Sequence, residues 1–107
     1  MYKVIALYGT PKDPEHFRSY YENKHLPLAA RLPGLMSSHY SFSIQGTAAC
    51  FCIWEGVFAD ADAALASMGS DIGQQVAADV SNYADGGFTL LHFGLMPGPV
   101  AATAPAR

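Results

Sequence analysis

His25 stands two residues before Pro27 in the stretch YYENKHLPLAARLPG, a segment that begins like a helix and is then interrupted. Imidazole changes charge near neutral pH, so a histidine at the mouth of a cavity suits general acid or base work. Pro27 lacks a backbone donor and its ring clashes with the carbonyl four residues back, so the helix is expected to kink or restart across residues 24–26. Such an irregularity lets His25 leave the regular helical direction and point past the sheet edge toward a cavity mouth. The bland alternative is a histidine that only satisfies carbonyls at a helix end.

His39 and His92 lie on strand-like segments and could hold a carbonyl or hydroxyl oxygen, with hydrogen-bonded core histidines as the alternative. Glu55 follows Trp54 on an otherwise apolar strand, where a carboxylate is costly to bury unless paired. His25 or Lys3 would be its partner, and orienting His25 its role, unless it simply ends the strand in water. The reading is His25 as the group that moves a proton, with His39, His92, Trp54 and Glu55 lining a mostly apolar cavity for a small hydrophobic metabolite. A two-histidine, one-carboxylate iron site from His39, His92 and Glu55 can be written down, but the assumed strand parity puts Glu55 on the other face. Cys50 and Cys52 alternate on a strand, near the upper limit of about 7 Å for a disulfide, and lack a second pair at zinc-finger spacing. They read as reduced, small hydrophobes. With no phosphate loop, dinucleotide fingerprint or metal motif, neither cofactor nor metal is expected.

The elements that would carry these residues follow from periodicity. Residues 2–9, YKVIALYG, read as a first strand closed by glycine. Asp13 before Pro14 matches a helix N-cap, and Phe17, Tyr20, Tyr21 and Leu28 share one side of the helical wheel. Residues 35–45 alternate, with Met36, Tyr40, Phe42 and Ile44 on one parity and Ser37, His39, Ser41 and Ser43 on the other. A compact hairpin at QGTAA leads to a third strand, AACFCIWEGVF, apolar on both faces. Asp60 caps a short helix through Ser67; Ile72, Val76, Val80 and Tyr83 mark another, ended by DGG; and residues 88–96 form the last strand, with Tyr8 expected as packing and His16 as surface.

Strand, helix, strand, strand, helix, strand is the ferredoxin-like βαββαβ arrangement, α+β in class, with a four-stranded antiparallel sheet and helices on one face. The other face stays bare. Strands apolar on both sides make such a face a patch that soluble monomers rarely tolerate, so a homodimer with two sheets face to face is expected. His39 and His92 are placed in the space between those sheets, and His25, Trp54 and Glu55 near one end.

A chain of 107 residues is one domain, taken as residues 1–96 with a proline- and alanine-rich tail over 97–107. The net charge of -3 and singly scattered Lys and Arg exclude nucleic-acid binding. No apolar run reaches a membrane span and the first residues lack a signal peptide's h-region, so a cytoplasmic protein is expected.

Three motifs resemble the EthD family, named after ethyl tert-butyl ether degradation, within the dimeric α+β barrel superfamily: FRSYYENKHLPLAARLPG, IWEGVFADADAALAS and SNYADGGFTLLHFG. The resemblance runs to Met96, and the hairpin at QGTAA is more compact than in longer members. It implies the fold, the dimer and a site role for His25. For activity it implies a cofactor-independent enzyme of isomerase, cyclase, dehydratase or oxygenase type, the alternative being a metabolite-binding or accessory protein without turnover.

Overall fold

Strand β1, Tyr2–Tyr8, lies between β3, Cys52–Phe58, and β4, Phe88–Gly94, while β2, Ser37–Ser41, flanks β3. All pairings are antiparallel and the order is β2-β3-β1-β4, the α+β arrangement expected for the ferredoxin-like fold. The computed structural model describes residues 1–101; of the tail expected over 97–107, residues 102–107 lie outside the described residues.

Strict alternation along β1 and β3 sets the two faces. Val4, Ala6, Tyr8, Cys52, Trp54 and Phe58 are buried beneath the helices, and the residues between them are half-buried on the other side. The register places Trp54 and Leu90 beside Ala6, and Cys52 and Phe88 beside Tyr8, on that helix-covered face.

Helix α1, Pro14–Tyr20, starts where Asp13 accepts the His16 amide, with Pro14 in the first turn where its missing N–H costs nothing. Its completely buried Phe17 packs edge-on against Tyr8, Phe51 and Tyr83. Fully burying a phenylalanine contributes roughly 1.5–3 kcal/mol.

The irregularity expected before Pro27 is present, with a new α-helical segment starting at Leu26, but it takes the form of a wider turn. The helix does not break; it widens to a π-helical turn over Tyr21–His25, with the Leu26 amide bonded to the Tyr21 carbonyl, and continues as α2, Leu26–Ala29. The wider turn gives the chain an extra residue, as π-bulges at functional sites commonly do.

Residues 42–51 correct the expected compact hairpin. They form an irregular connection, β2 ending at Ser41 and β3 starting only at Cys52. Phe42 and Phe51 turn back onto Phe17, and the Arg18 guanidinium lies 5.5 and 5.2 Å from their ring centres. Ser41 and Thr47 side chains accept backbone amides two residues on, which competes with ladder pairing.

Helix α3, Ala61–Gly69, is capped by Asp60, and α4, Asp71–Asp79, by Ser70; a 3₁₀ turn, Val80–Asn82, follows. At Gly73 a Cβ would run into the Ser67 and Met68 carbonyls, so glycine permits the close approach of α4 to the end of α3. No helix among the described residues is long and apolar enough to cross a membrane.

Candidate functional site

Between the sheet and the helices lies a cavity of about 430 Å³, floored by Val4, Ala6, Tyr8, Trp54 and Leu90 and walled by Tyr21, His25, Leu32, Met68, Val76 and Val80. It sits inside one chain. This corrects the placement between two sheets, and the reason is parity: the buried residues of β1 and β3 face the helices. Phe88 and Leu90 on edge strand β4 are 43% and 46% exposed, so the helices leave that side of the cavity open.

His25 is 3% exposed, stacked on Tyr21 and 4.7 Å from the Tyr83 ring, centre to centre. Its partner is Asp79 at the end of α4: Nδ1 lies 2.9 Å from Oδ2. Asp79 Oδ1 accepts the Tyr20 hydroxyl at 2.6 Å and the Asn82 amide at 2.9 Å. Tyr20 closes α1 and Asn82 lies in the 3₁₀ turn, so side chains from both ends of the helical layer hold one carboxylate.

The electrostatics follow from burial. Loss of solvent lowers the imidazole of His25 below its usual 6.5, and the hydrogen bond and charge of Asp79 offset this only in part. Burial raises the Asp79 carboxyl, but hydrogen bonds from Tyr20, Asn82 and His25 outweigh it and leave it below the usual carboxylate value. At neutral pH the pair is therefore a neutral imidazole and a carboxylate. Nδ1–H donates to Asp79, and Nε2 carries the free lone pair. Tyr8 and Tyr83 join hydroxyls at 2.7 Å, and burial pushes Tyr8 up to about 12, the Tyr83 bond opposing, so the Tyr8 phenol stays protonated. Burial likewise pushes the Cys52 thiol up to about 12, which makes it unreactive.

Trp54 lies along its strand over Gly56, where a Cβ would fall inside the indole and meet Leu35. That glycine leaves room for the Trp54 indole, which lines the cavity.

The other sequence-derived candidates separate. His39 pairs directly with Glu55, and Glu55 bonds Lys3 at 3.2 Å; all three are on the face away from the helices. Glu55 therefore partners Lys3 and does not orient His25. His92 is on the helix side opposite Val4, but at the sheet edge, bonded to the Tyr2 hydroxyl and outside the cavity lining. His39 faces away from the helices as expected, but His92 and Glu55 each lie on the face opposite to the one expected, and these three do not converge as ligands. No cluster of three or more His, Cys, Asp or Glu is placed to hold a metal among the described residues.

Asp79, Tyr20, Tyr21, Tyr83 and Tyr8 were missed by sequence reasoning. Asp79 did leave a signal: it falls at a helical position flanked by the apolar stripe Ile72, Val76, Val80 and Tyr83, where a carboxylate needs a partner. Tyr8 was read as packing, and it also lines the cavity.

Comparisons with known proteins agree with this architecture. Residues 10–87 match the EthD domain. An uncharacterised 11.0 kDa protein from the thcB-thcC intergenic region of Rhodococcus erythropolis is 33% identical over 94 residues, covering 85% of this chain and 91% of that protein. The crystal structure of an ethyl tert-butyl ether degradation family protein from Bacillus halodurans superposes with a TM-score of 0.82 at 29% identity, covering 90% of this chain and 99% of the other. SnoaB, a cofactor-independent oxygenase from Streptomyces nogalater, is similar in fold alone, with a TM-score of 0.67 at 13% identity over 91% of this chain and 94% of that one.

Proposed function

This chain belongs to the EthD domain family, and on that footing we propose that it is a cofactor-independent enzyme performing acid and base chemistry on a small hydrophobic metabolite. The observation that carries the reading is the His25–Asp79 pair, 2.9 Å apart and buried against an apolar cavity. His25 Nε2 takes a proton from an O–H or acidic C–H of the metabolite, and the electron pair stays on the metabolite. Asp79 fixes the tautomer and stabilises the imidazolium that forms. Returning the proton elsewhere gives an isomerase; its return with loss of a leaving hydroxyl gives a dehydratase; attack of the carbanion on a carbonyl gives a cyclase. The carbanion could also meet molecular oxygen, the co-reactant of an oxygenase, and the resemblance in fold to SnoaB is in keeping with that branch.

The protein is proposed to work in the cytoplasm as a homodimer joined by the bare sheet faces. Ile5, Leu7, Ile53 and Val57 are half-buried there, and Leu91 and Phe93 are exposed. Each cavity would remain within its own chain.

The test is a thermal-shift screen of aromatic and lactone metabolites, followed by product analysis with the wild type and His25→Gln. A ligand at about 100 times its dissociation constant adds about 2.7 kcal/mol, enough to see. Turnover should fall about 10²- to 10⁴-fold in His25→Gln. Full turnover in that variant would end the proposal, and a ligand bound equally by both and converted by neither would establish the accessory reading instead.

A further inference from the structure

We propose that the cavity selects neutral, weakly acidic ring compounds, phenols and stable enols, and turns away carboxylates and phosphates. The inference rests on the same cavity as the proposed activity and names the class of ligand it takes.

Among the described residues the lining carries no lysine or arginine. Lys3 is on the opposite sheet face with Glu55, and Arg18 is spread over Phe42 and Phe51 outside the cavity. The fixed charge nearest the site is negative: the Asp79 carboxylate, directly behind His25. An anionic ligand would lose its hydration, find no cation and meet a like charge in a poorly screened interior.

The polar pole of the cavity also has a definite sense. Asp79 commits Nδ1–H, so His25 offers Nε2 as an acceptor only. Ethers and simple ketones have nothing to donate to Nε2 and can only accept from hydroxyls in the lining, such as Ser81 and the unpartnered Tyr21. A phenol or enol donates its O–H to Nε2, while its ring lies against Trp54, Leu90 and Val76, an apolar surface suited to a flat hydrocarbon skeleton. Once the proton moves, the ligand anion faces the imidazolium it has created, the single positive charge in the lining. A ligand that arrives neutral and becomes charged only on contact with His25 is therefore the kind this cavity accommodates.

Isothermal titration calorimetry at pH 7.5 with naphthalene, 1-naphthol and 1-naphthoate separates skeleton, donor and charge. The wild type should bind 1-naphthol about tenfold tighter than naphthalene, the size expected of one buried hydrogen bond, with 1-naphthoate at least about tenfold weaker than 1-naphthol. His25→Phe should level 1-naphthol with naphthalene. Leu90→Arg, at an exposed position that tolerates a long side chain, should raise 1-naphthoate affinity about tenfold or more, and it decides the matter if His25→Phe does not fold. Equal binding of 1-naphthol and naphthalene to the wild type, tightest binding of 1-naphthoate, or no heat from any of the three overturns the inference. These measurements need no turnover. The expected ranking in a protein that converts nothing keeps the ligand class and removes the enzymatic reading, whereas conversion of a carboxylate does the reverse.

Discussion

The two faces of this sheet are made by alternate residues of the same strands, yet they are built for different ends. On the helix side, Tyr8, Trp54 and Leu90 border a cavity lined by His25, with its partner Asp79 behind it, both from helical segments. On the other side, Ile5, Leu7, Ile53, Val57, Leu91 and Phe93 make a broad apolar surface interrupted by Lys3, Glu55 and His39. The first face is covered by its own chain's helices except along β4, and it keeps a defined space. The second leaves Leu91 and Phe93 exposed beside half-buried aliphatic residues, an apolar patch of the kind the proposed homodimer would cover. On the helix face His25 and Asp79 bond each other beside the cavity, while on the bare face Lys3 and Glu55 pair across the strands.

The sharpest way to break this comparison is to charge the bare face. Leu91→Asp would bury two unpaired carboxylates in a symmetric dimer, each costing several kcal/mol, so sedimentation should show association weakened by about 10³-fold or more. Leu91 is 37% exposed in the single chain, so the monomer should stay folded. If dimers persist unchanged, the bare face is not the interface.

Asp79→Asn tests the helix face with the next largest effect. The amide keeps the shape but loses the charge that stabilises an imidazolium, so turnover should drop about 10²-fold while the sedimentation profile stays that of the wild type. A rate within twofold of the wild type would leave the His25–Asp79 bond a packing feature. Smaller again is Gly56→Ala, whose methyl group must displace the Trp54 indole; overpacking of this kind costs roughly 1–3 kcal/mol. Denaturant melts should register that loss, and fluorescence of Trp54, the protein's one tryptophan, should change with it.

How much of this was legible in the sequence differs between the faces too. Period-two alternation and cap residues such as Asp13 and Asp60 are local signals, and from them the element order and the helix-covered sheet follow directly. The cavity depends on which parity of each strand meets the helices. A one-residue ambiguity in register exchanges every side chain between faces. That is how His39 and Glu55 came to be expected on opposite faces when they are cross-strand neighbours. The bond between His25 and Asp79 spans 54 positions of the chain, and no local pattern encodes it. Pro27, two residues after His25, did point to an irregular helix, but a π-helical turn and a break leave the same mark in sequence.

The smallest expected effect is thermodynamic and belongs to His25 alone. Its folded-state value is depressed below 6.5 by burial, the Asp79 interaction only partly opposing, so the unfolded chain binds a proton at this site before the folded one does. A group with a depressed folded value contributes stability that is fully present above the unfolded value and is lost as pH falls through the folded one. The melting temperature should therefore be flat with respect to this residue above about pH 7 and should decline as pH is lowered through 6 toward 5. His25→Gln removes the titrating group, so its melting temperature should decline less steeply over that window, although it starts lower at pH 7.5 because the hydrogen bond to Asp79 is altered. Asp79 titrates lower still, its carboxyl being held below its usual value, so its own contribution is lost only at more acid pH and does not confuse the comparison. Parallel pH profiles for the two proteins between pH 7.5 and 5 would mean that His25 is not held neutral by burial. The share of imidazole carrying a free Nε2 lone pair, on which the proposed chemistry depends, would then be only that of an unperturbed histidine, which falls away below about pH 6.5.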